Sequence, residues 1–406
     1  MPVEANSQRS RKPRRVLMLT PFASPNRGGA ETHIDRLIVA LARRNILVTL
    51  LTYQPLVSPV KAAAREPLPN GEVIRIPWFG RGWHPRIEPY APLNFAYLVP
   101  GLLAGAIRYR IMEKTDFDVI HAHGFAAAVV ALGLRWTGLR QPITVSTHAV
   151  YGLTGRSPLA RAVRMLLGRV DQTLAVSEAS RRELVGIGLD PVGVGVYRHW
   201  VDVDVFRPAR SRAEARASLG WEPSAPTCLF VGRLLRKKGV EVVLELARRM
   251  PDVSFRILGA EGDMDYEVVD AAASIANLDL MRDPGGPEND RLKTIAGMYA
   301  AADLLLVPSQ YDEAAGLVVL ESSAAGTPVV ASDLGGLRET VTPENGRLVE
   351  PTVDAFETAV RGMLSERESL SPLRTSARAF AVRQFSERNV DLIVQRYGLD
   401  FDNAAN

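Results

Sequence analysis

Short apolar runs alternate with longer amphipathic segments along almost the whole chain. Val16–Thr20, Ile46–Thr52, Glu72–Ile76, Phe117–His121, Ile143–Thr147 and Gln172–Val176 read as strands, most of them buried. After the first run, Ile34, Leu37, Ile38 and Leu41 recur at helical spacing, and a basic helix is expected over Leu159–Leu167. Ser177 is placed to cap the helix that follows the sixth strand. The pattern resumes with strands at Thr227–Gly232, Val253–Leu258 and Asp303–Val307. Helices are expected from Lys238-Gly239 onward, and over Arg291–Ala301, Leu317–Ala325, Val353–Leu364, Ser371–Val382 and Ser386–Tyr397. Strand then helix, repeated, predicts parallel sheets covered on both faces. Gly346–Glu350 reads as a hairpin-like edge. The pattern breaks twice. Pro77 to Pro100 is dominated by proline, aromatic and turn residues and reads as a long packed loop, or as an acceptor or membrane-surface patch. Gly186 to Pro226 reads as an interdomain linker, with Val201–Phe206 lying against the second domain.

At 406 residues the chain is long enough for two domains. The expected division is a disordered basic arm over 1–14, an N-terminal half over 15–200, a second half over 201–385, and a last helix and frayed tail over 386–406. A net charge of +4, with much of the excess in the arm, argues against nucleic-acid binding. The arm is expected to be a solvated tail, with contact to anionic lipid as the alternative. The one cysteine, Cys228, sits in an apolar run and reads as a buried thiol. A lone cysteine builds neither a disulfide framework nor a cysteine metal site, which suits a reducing cytosol. Neither a membrane span nor a secretory leader is expected. The expected location is cytoplasmic, with peripheral contact at the inner membrane face as a further option.

The chemistry concentrates between Val307 and Asp333. A buried strand, a turn carrying Glu313, which is expected to be exposed, and a helix opened by Gly316 aim unpaired N–H groups above the strand end. Two acids there, Glu313 and Glu321, would repel a phosphate unless they reach past it to neutral hydroxyls. A sugar nucleotide offers both a diphosphate and hydroxyls. Gly28-Gly29 sits in a similar strand-to-helix turn. Gly232, Arg233, Lys237, Lys238 and Gly239 form a third, strongly cationic one, in which Arg233 can grip two phosphate oxygens and Lys238 can supply a point charge. His121 and His123, two apart at a strand end, point the same way, and no further ligands for zinc stand at suitable spacing. No G-x-G-x-x-G follows the first strand, which disfavours a nicotinamide dehydrogenase. Asp202 and Asp204 have the spacing of an Asp-x-Asp metal element but fall in the linker.

Glu313 and Glu321, seven residues apart around Gly316-Leu317, resemble the Glu-x7-Glu signature of retaining glycosyltransferases of family 4 (glycosyl transferase group 1), and the resemblance extends over nearly the whole chain. It implies the GT-B architecture: an α/β fold of two Rossmann-like parallel-sheet domains facing an interdomain cleft. It implies that Gly28, Gly29 and Glu31, with Thr32, form the Gly-Gly-x-Glu loop against donor phosphate and acceptor. His121 and His123 match the family's His-x-His, with His123 facing the transferred sugar. Arg233 and Lys238 grip the diphosphate beside Gly232, with Lys237 as a neighbouring candidate. Glu313 orients the sugar, helped by backbone N–H groups of Ala315, Gly316 and Leu317, and Glu321 holds the ribose. The glycine-rich strand end after Leu258 lies near the base. The implied reaction moves a hexose-type sugar from a nucleoside-diphosphate sugar to a glycan, lipid or small-molecule acceptor, without cofactor or metal. A sugar-nucleotide epimerase of the same two-domain plan and a non-catalytic sugar-nucleotide sensor are the competing classes. Family members usually carry Asn-Gly before the Val-Asp pair; His199-Trp200 stands there instead.

Overall fold

The structure, a computed structural model, describes residues 14–26, 28–57, 60–80, 82–87, 90–113, 116–155, 157–207, 211–260, 264–284 and 288–398. The basic arm before residue 14, Arg81, residues 285–287 in the loop at 283–290, residues 261–263 near the expected base site, and the tail from 399 lie outside them.

Fourteen strands are described: β1 Arg14–Leu19, β2 Ile46–Tyr53, β3 Arg65–Leu68, β4 Gly71–Ile76, β5 Val119–His123, β6 Ile143–Ser146, β7 Gln172–Ala175, β8 Val194–Val196, β9 Thr227–Arg233, β10 Ser254–Ala260, β11 Leu278–Arg282, β12 Leu304–Val307, β13 Val329–Ser332 and β14 Gly346–Val349. The helices are α1 Gly29–Ala42, α2 His84–Ile87, α3 Ala91–Glu113, α4 Phe125–Arg135, α5 Pro158–Leu167, α6 Glu178–Gly186, α7 Arg212–Leu219, α8 Val240–Arg249, α9 Asp265–Ser274, α10 Glu288–Ala301, α11 Leu317–Ala324, α12 Leu337–Thr340, α13 Val353–Ser365, α14 Arg367–Gln384 and α15 Val390–Arg396. They build two sheets, ordered β3-β4-β2-β1-β5-β6-β7-β8 and β11-β10-β9-β12-β13-β14. Every pairing is parallel except that of the edge strand β3 with β4. Each sheet has an apolar core on both faces, as its near-continuous apolar strands require.

Three expectations fail here. The proline- and aromatic-rich segment ends in a 23-residue helix, α3, with Pro100 inside it. Two glycines inside α3 let it pack closely: a Cβ at Gly101 would overlap Trp78, and one at Gly105 would overlap Ile76. The segment read as a linker contains β8 and α7. Arg216 of α7 is buried and fastens that helix to the second half. It donates to the carbonyls of Ala301, Glu222, Pro223 and Ala225 and pairs with Asp303 at 2.8 Å. Gly346–Val349 is no hairpin, because β14 runs parallel to β13.

Val201 and Phe206 lie in the second half's core, as expected. Cys228 is buried, and burial raises its thiol pKa. Ser177 caps α6 through its hydroxyl. The last helix crosses back: Val390, Ile393 and Val394 of α15, with the following Tyr397, pack in the N-terminal half's core beside Val16 and Leu37.

Candidate active site

Topology decides where chemistry gathers. In the first sheet the chain leaves β1 toward β2 on one side and returns to β5 on the other; in the second it does the same around β9, with β12 on the return. Helices cannot cover the crevice at such a reversal, so ligands bind beyond the strand ends there. The loops at these two reversals are those singled out in the sequence: Gly28-Gly29 after β1, the histidines of β5, the cationic turn after β9, and the Glu313–Gly316 loop after β12.

The two loops of the second half are one unit. Gly239 has φ 74°, and a Cβ there would overlap the Pro308 carbonyl oxygen, so the Lys238-Gly239 turn sits directly on the chain leaving β12. The Gln310 N–H donates to the Lys237 carbonyl at 2.8 Å. Lys238 Nζ reaches Glu313 Oε1 at 2.5 Å, and the Ser309 hydroxyl donates to the same oxygen at 2.7 Å. Glu313 is therefore buried, at 7% exposure, and not exposed as expected. The β12 loop folds back onto the cationic turn, and the ammonium compensates the buried carboxylate. Burial lowers the Lys238 pKa, but Glu313 and Tyr311 outweigh it and hold it above its ordinary value. Gly316, at φ 66°, supplies the left-handed residue that opens α11. Arg233 is exposed, and with Arg236 and Lys237 it lines an open depression of about 1070 Å³.

The N-terminal half closes against this unit. A Cβ on Gly29 would lie 3.6 Å from Leu317 Cδ1, so the glycine loop faces the start of α11. The Glu31 carboxylate folds back over Gly28. Arg36 of α1 donates to Glu321 Oε1 at 2.6 Å and to the Trp200 carbonyl at 3.1 Å, while the Tyr299 hydroxyl donates to Glu321 Oε2 at 3.1 Å. Glu321 thus spans the two halves with both oxygens engaged. Glu339 of α12 likewise crosses over, accepting the N–H groups of Glu178 and Ala179 at 2.9 Å each.

Behind the glycine loop lie five of the chain's six histidines: His33, His121, His123, His148 and His199. His121 is enclosed by Tyr397 and Ser146 at 2.8 and 2.7 Å. His123 Nδ1 meets His148 Nε2 at 3.0 Å, His148 Nδ1 meets the Tyr197 hydroxyl at 3.2 Å, and His33 Nδ1 meets His199 Nδ1 at 3.1 Å. Nε2 of His33 and Nε2 of His123 are buried without a partner among the described residues. Burial holds every ring below its ordinary pKa, to about 3 in His121 and His199 and about 4 in His148, and well below in His33 and His123. The cluster is a neutral imidazole nest.

The structure therefore joins Lys238 to Glu313, sets Gly29 against Leu317, and gathers both candidate histidines. Sequence reasoning assigned no role to Arg36, His33, Tyr197, Tyr299 or His148, and took His199 only as a departure. One signal could have found the nest: His121, His123, His148 and His199 all stand at or just after strand ends, and His33 lies in the first turns after β1.

The family description "Glycosyl transferases group 1" matches residues 211–380, and "Glycosyltransferase Family 4" matches residues 27–205. A D-inositol 3-phosphate glycosyltransferase of Geodermatophilus obscurus is 30% identical over 428 aligned positions, covering 96% of this chain and 90% of the relative. The chain belongs to glycosyltransferase family 4. A D-inositol 3-phosphate glycosyltransferase of Rhodococcus opacus is 28% identical, covering 95% of this chain and 90% of the relative. Among solved structures, the sucrose-phosphate synthase of Thermosynechococcus elongatus superposes with a TM-score of 0.78 at 22% identity, covering 95% of this chain and 98% of that one. HepE of Anabaena, solved with UDP and glucose, superposes at 0.72 with 19% identity, covering 94% and 98%. This family-4 glycosyltransferase thus has the GT-B fold, its two parallel-sheet halves facing a cleft.

Proposed function

We propose that this glycosyltransferase moves a hexose-type sugar from a nucleoside-diphosphate sugar to a glycan, lipid-linked or small-molecule acceptor, with retention of anomeric configuration. One observation carries this reading: the cationic turn after β9 and the acidic loop opening α11 interlock through Lys238 and Glu313, directly opposite the glycine loop after β1. Negative charge grows on the departing diphosphate as the sugar–phosphate bond breaks. Arg233, Lys238 and the amide end of α11 at Ala315, Gly316 and Leu317 are fixed positive groups that stabilise that charge. Glu313, held by Lys238 and Ser309, has a second oxygen for a sugar hydroxyl. Glu321 keeps spare lone pairs for ribose, since a carboxylate offers about four acceptor sites. Gly28 and Gly29 let backbone N–H groups approach the phosphate, with Gly232, Lys237 and Glu31 at the margins. His123 Nε2 is the free polar atom for the transferred sugar, whereas His121 is enclosed by Tyr397 and Ser146. The leaving phosphate oxygen takes the acceptor's proton on the face of departure.

HepE has also been solved with UDP-glucose, and inositol 3-phosphate appears in the relatives' names, which supports a nucleotide-sugar donor and a polyol acceptor. No helix among the described residues is long and apolar enough to cross a membrane. Phe79, Trp83, Tyr90 and Leu93 are more than half exposed and give a lipid-linked acceptor, or an anionic membrane, an apolar surface. The reading is tested by thermal shift against UDP-, GDP- and ADP-sugars, then by proton NMR of the product. One nucleotide sugar should raise Tm, and the product should keep the donor's anomeric configuration. No shift with any donor, or an inverted product, would overturn it.

A further inference from the structure

His123 presents one buried nitrogen that no described residue satisfies, and whether that nitrogen donates or accepts depends on which tautomer the ring adopts. We infer that Tyr197 and His148 act as positioning residues that set this tautomer, so that His123 offers Nε2–H to its substrate. This inference rests on the reading that His123 faces the transferred sugar.

The geometry is a three-member chain. The Tyr197 hydroxyl lies 3.2 Å from His148 Nδ1, and His148 Nε2 lies 3.0 Å from His123 Nδ1. Burial keeps the Tyr197 phenol protonated and both imidazoles neutral, so each ring carries one N–H. A polarity fixed at one end must then pass to the other. Tyr197 has one proton and two acceptors within reach: His148 Nδ1 at 3.2 Å and the Thr147 carbonyl at 3.5 Å. The nearer is the imidazole, and the longer contact is at the edge of a hydrogen bond. Tyr197 therefore donates to Nδ1 of His148. His148 must carry its proton on Nε2 and donate to Nδ1 of His123. His123 is left with its proton on Nε2, a donor suited to a sugar hydroxyl or phosphate oxygen. The neighbouring rings do not compete: His121 is occupied by Tyr397 and Ser146, and Nδ1 of His33 by His199.

The test is long-range proton–nitrogen NMR on the full-length protein labelled with nitrogen-15 histidine. His123 signals are identified by their loss in His123→Gln. The expected spectrum shows His123 protonated on Nε2 and bare on Nδ1; the reverse would overturn the inference. Tyr197→Phe should blur the single tautomer and lower kcat about tenfold, the factor for one ordinary hydrogen bond, while donor KM holds. His148→Gln keeps an amide N–H near the position of Nε2–H and should retain kcat within a few-fold, while His148→Phe should lose about tenfold. Equal losses in both would mean a packing role only and would overturn the assignment. Wild-type turnover in His123→Gln would instead remove His123 from the proposed sugar site, leaving the tautomer to stand on the spectrum.

Discussion

Acidification should destabilise this enzyme in a window set by the imidazole nest. The perturbation is a shift from pH 7.5 to 5.5. Unfolded histidine titrates near 6.5, whereas burial holds His121 and His199 at about 3 and His148 at about 4 in the folded chain. The unfolded state therefore binds more protons than the folded one between those values. Stability is fully present above pH 6.5 and is lost as pH falls below it. At pH 5.5 each ring kept neutral costs about 1.4 kcal/mol relative to high pH, so these three together cost about 4 kcal/mol. His33 and His123, also held well below their ordinary value, push the same way. That is a large share of the roughly 5–15 kcal/mol that separates folded from unfolded states in ordinary domains. The assay is urea unfolding followed by tryptophan fluorescence at pH 7.5, 6.5 and 5.5. The midpoint should fall steeply between 6.5 and 5.5, before most carboxylates titrate. His121→Asn should flatten the slope by about one proton's worth, near 1.4 kcal/mol per pH unit. A midpoint that holds until pH 4.5 would refute the neutral nest.

Three further outcomes follow from the proposed donor site. Arg233→Ala should lower turnover by about 10²–10³, the scale for removing one preorganised charge stabiliser, and wild-type turnover would take Arg233 out of the mechanism. Glu321→Ala should mainly weaken nucleotide binding, so an unchanged affinity by calorimetry would defeat the ribose assignment. Activity should survive EDTA, because Arg233 and Lys238 are proposed to meet the leaving-group charge; loss on chelation with rescue by magnesium would overturn that.

Much of the second half was legible because it is local. A strand, a glycine and a helix start lie within about fifteen residues at both Arg233–Val240 and Val307–Leu317. Apolar periodicity with glycine punctuation is enough to write such a unit down. Composition misled over Ala91–Pro100, where a stretch rich in proline and aromatic residues opens the helix α3 with Pro100 inside it. It misled again at Glu313, which looked like a solvated loop acid but is buried against a lysine 75 positions earlier.

The sequence by itself determined the alternation of strands and helices, the two-half plan, and which loops carry the charged groups proposed to hold a diphosphate. Only the tertiary structure decided that Arg36 clasps Glu321 across the cleft, that α15 completes the opposite half's core, and that His33, His121, His123, His148 and His199 share one buried nest. The physical reason is range. Backbone geometry imposes periods of two and 3.6 on neighbouring residues, but no period links residue 36 to 321 or 121 to 397. Those meetings are set by how two sheets reverse and pack, and by burial that turns five scattered histidines into a single uncharged cluster.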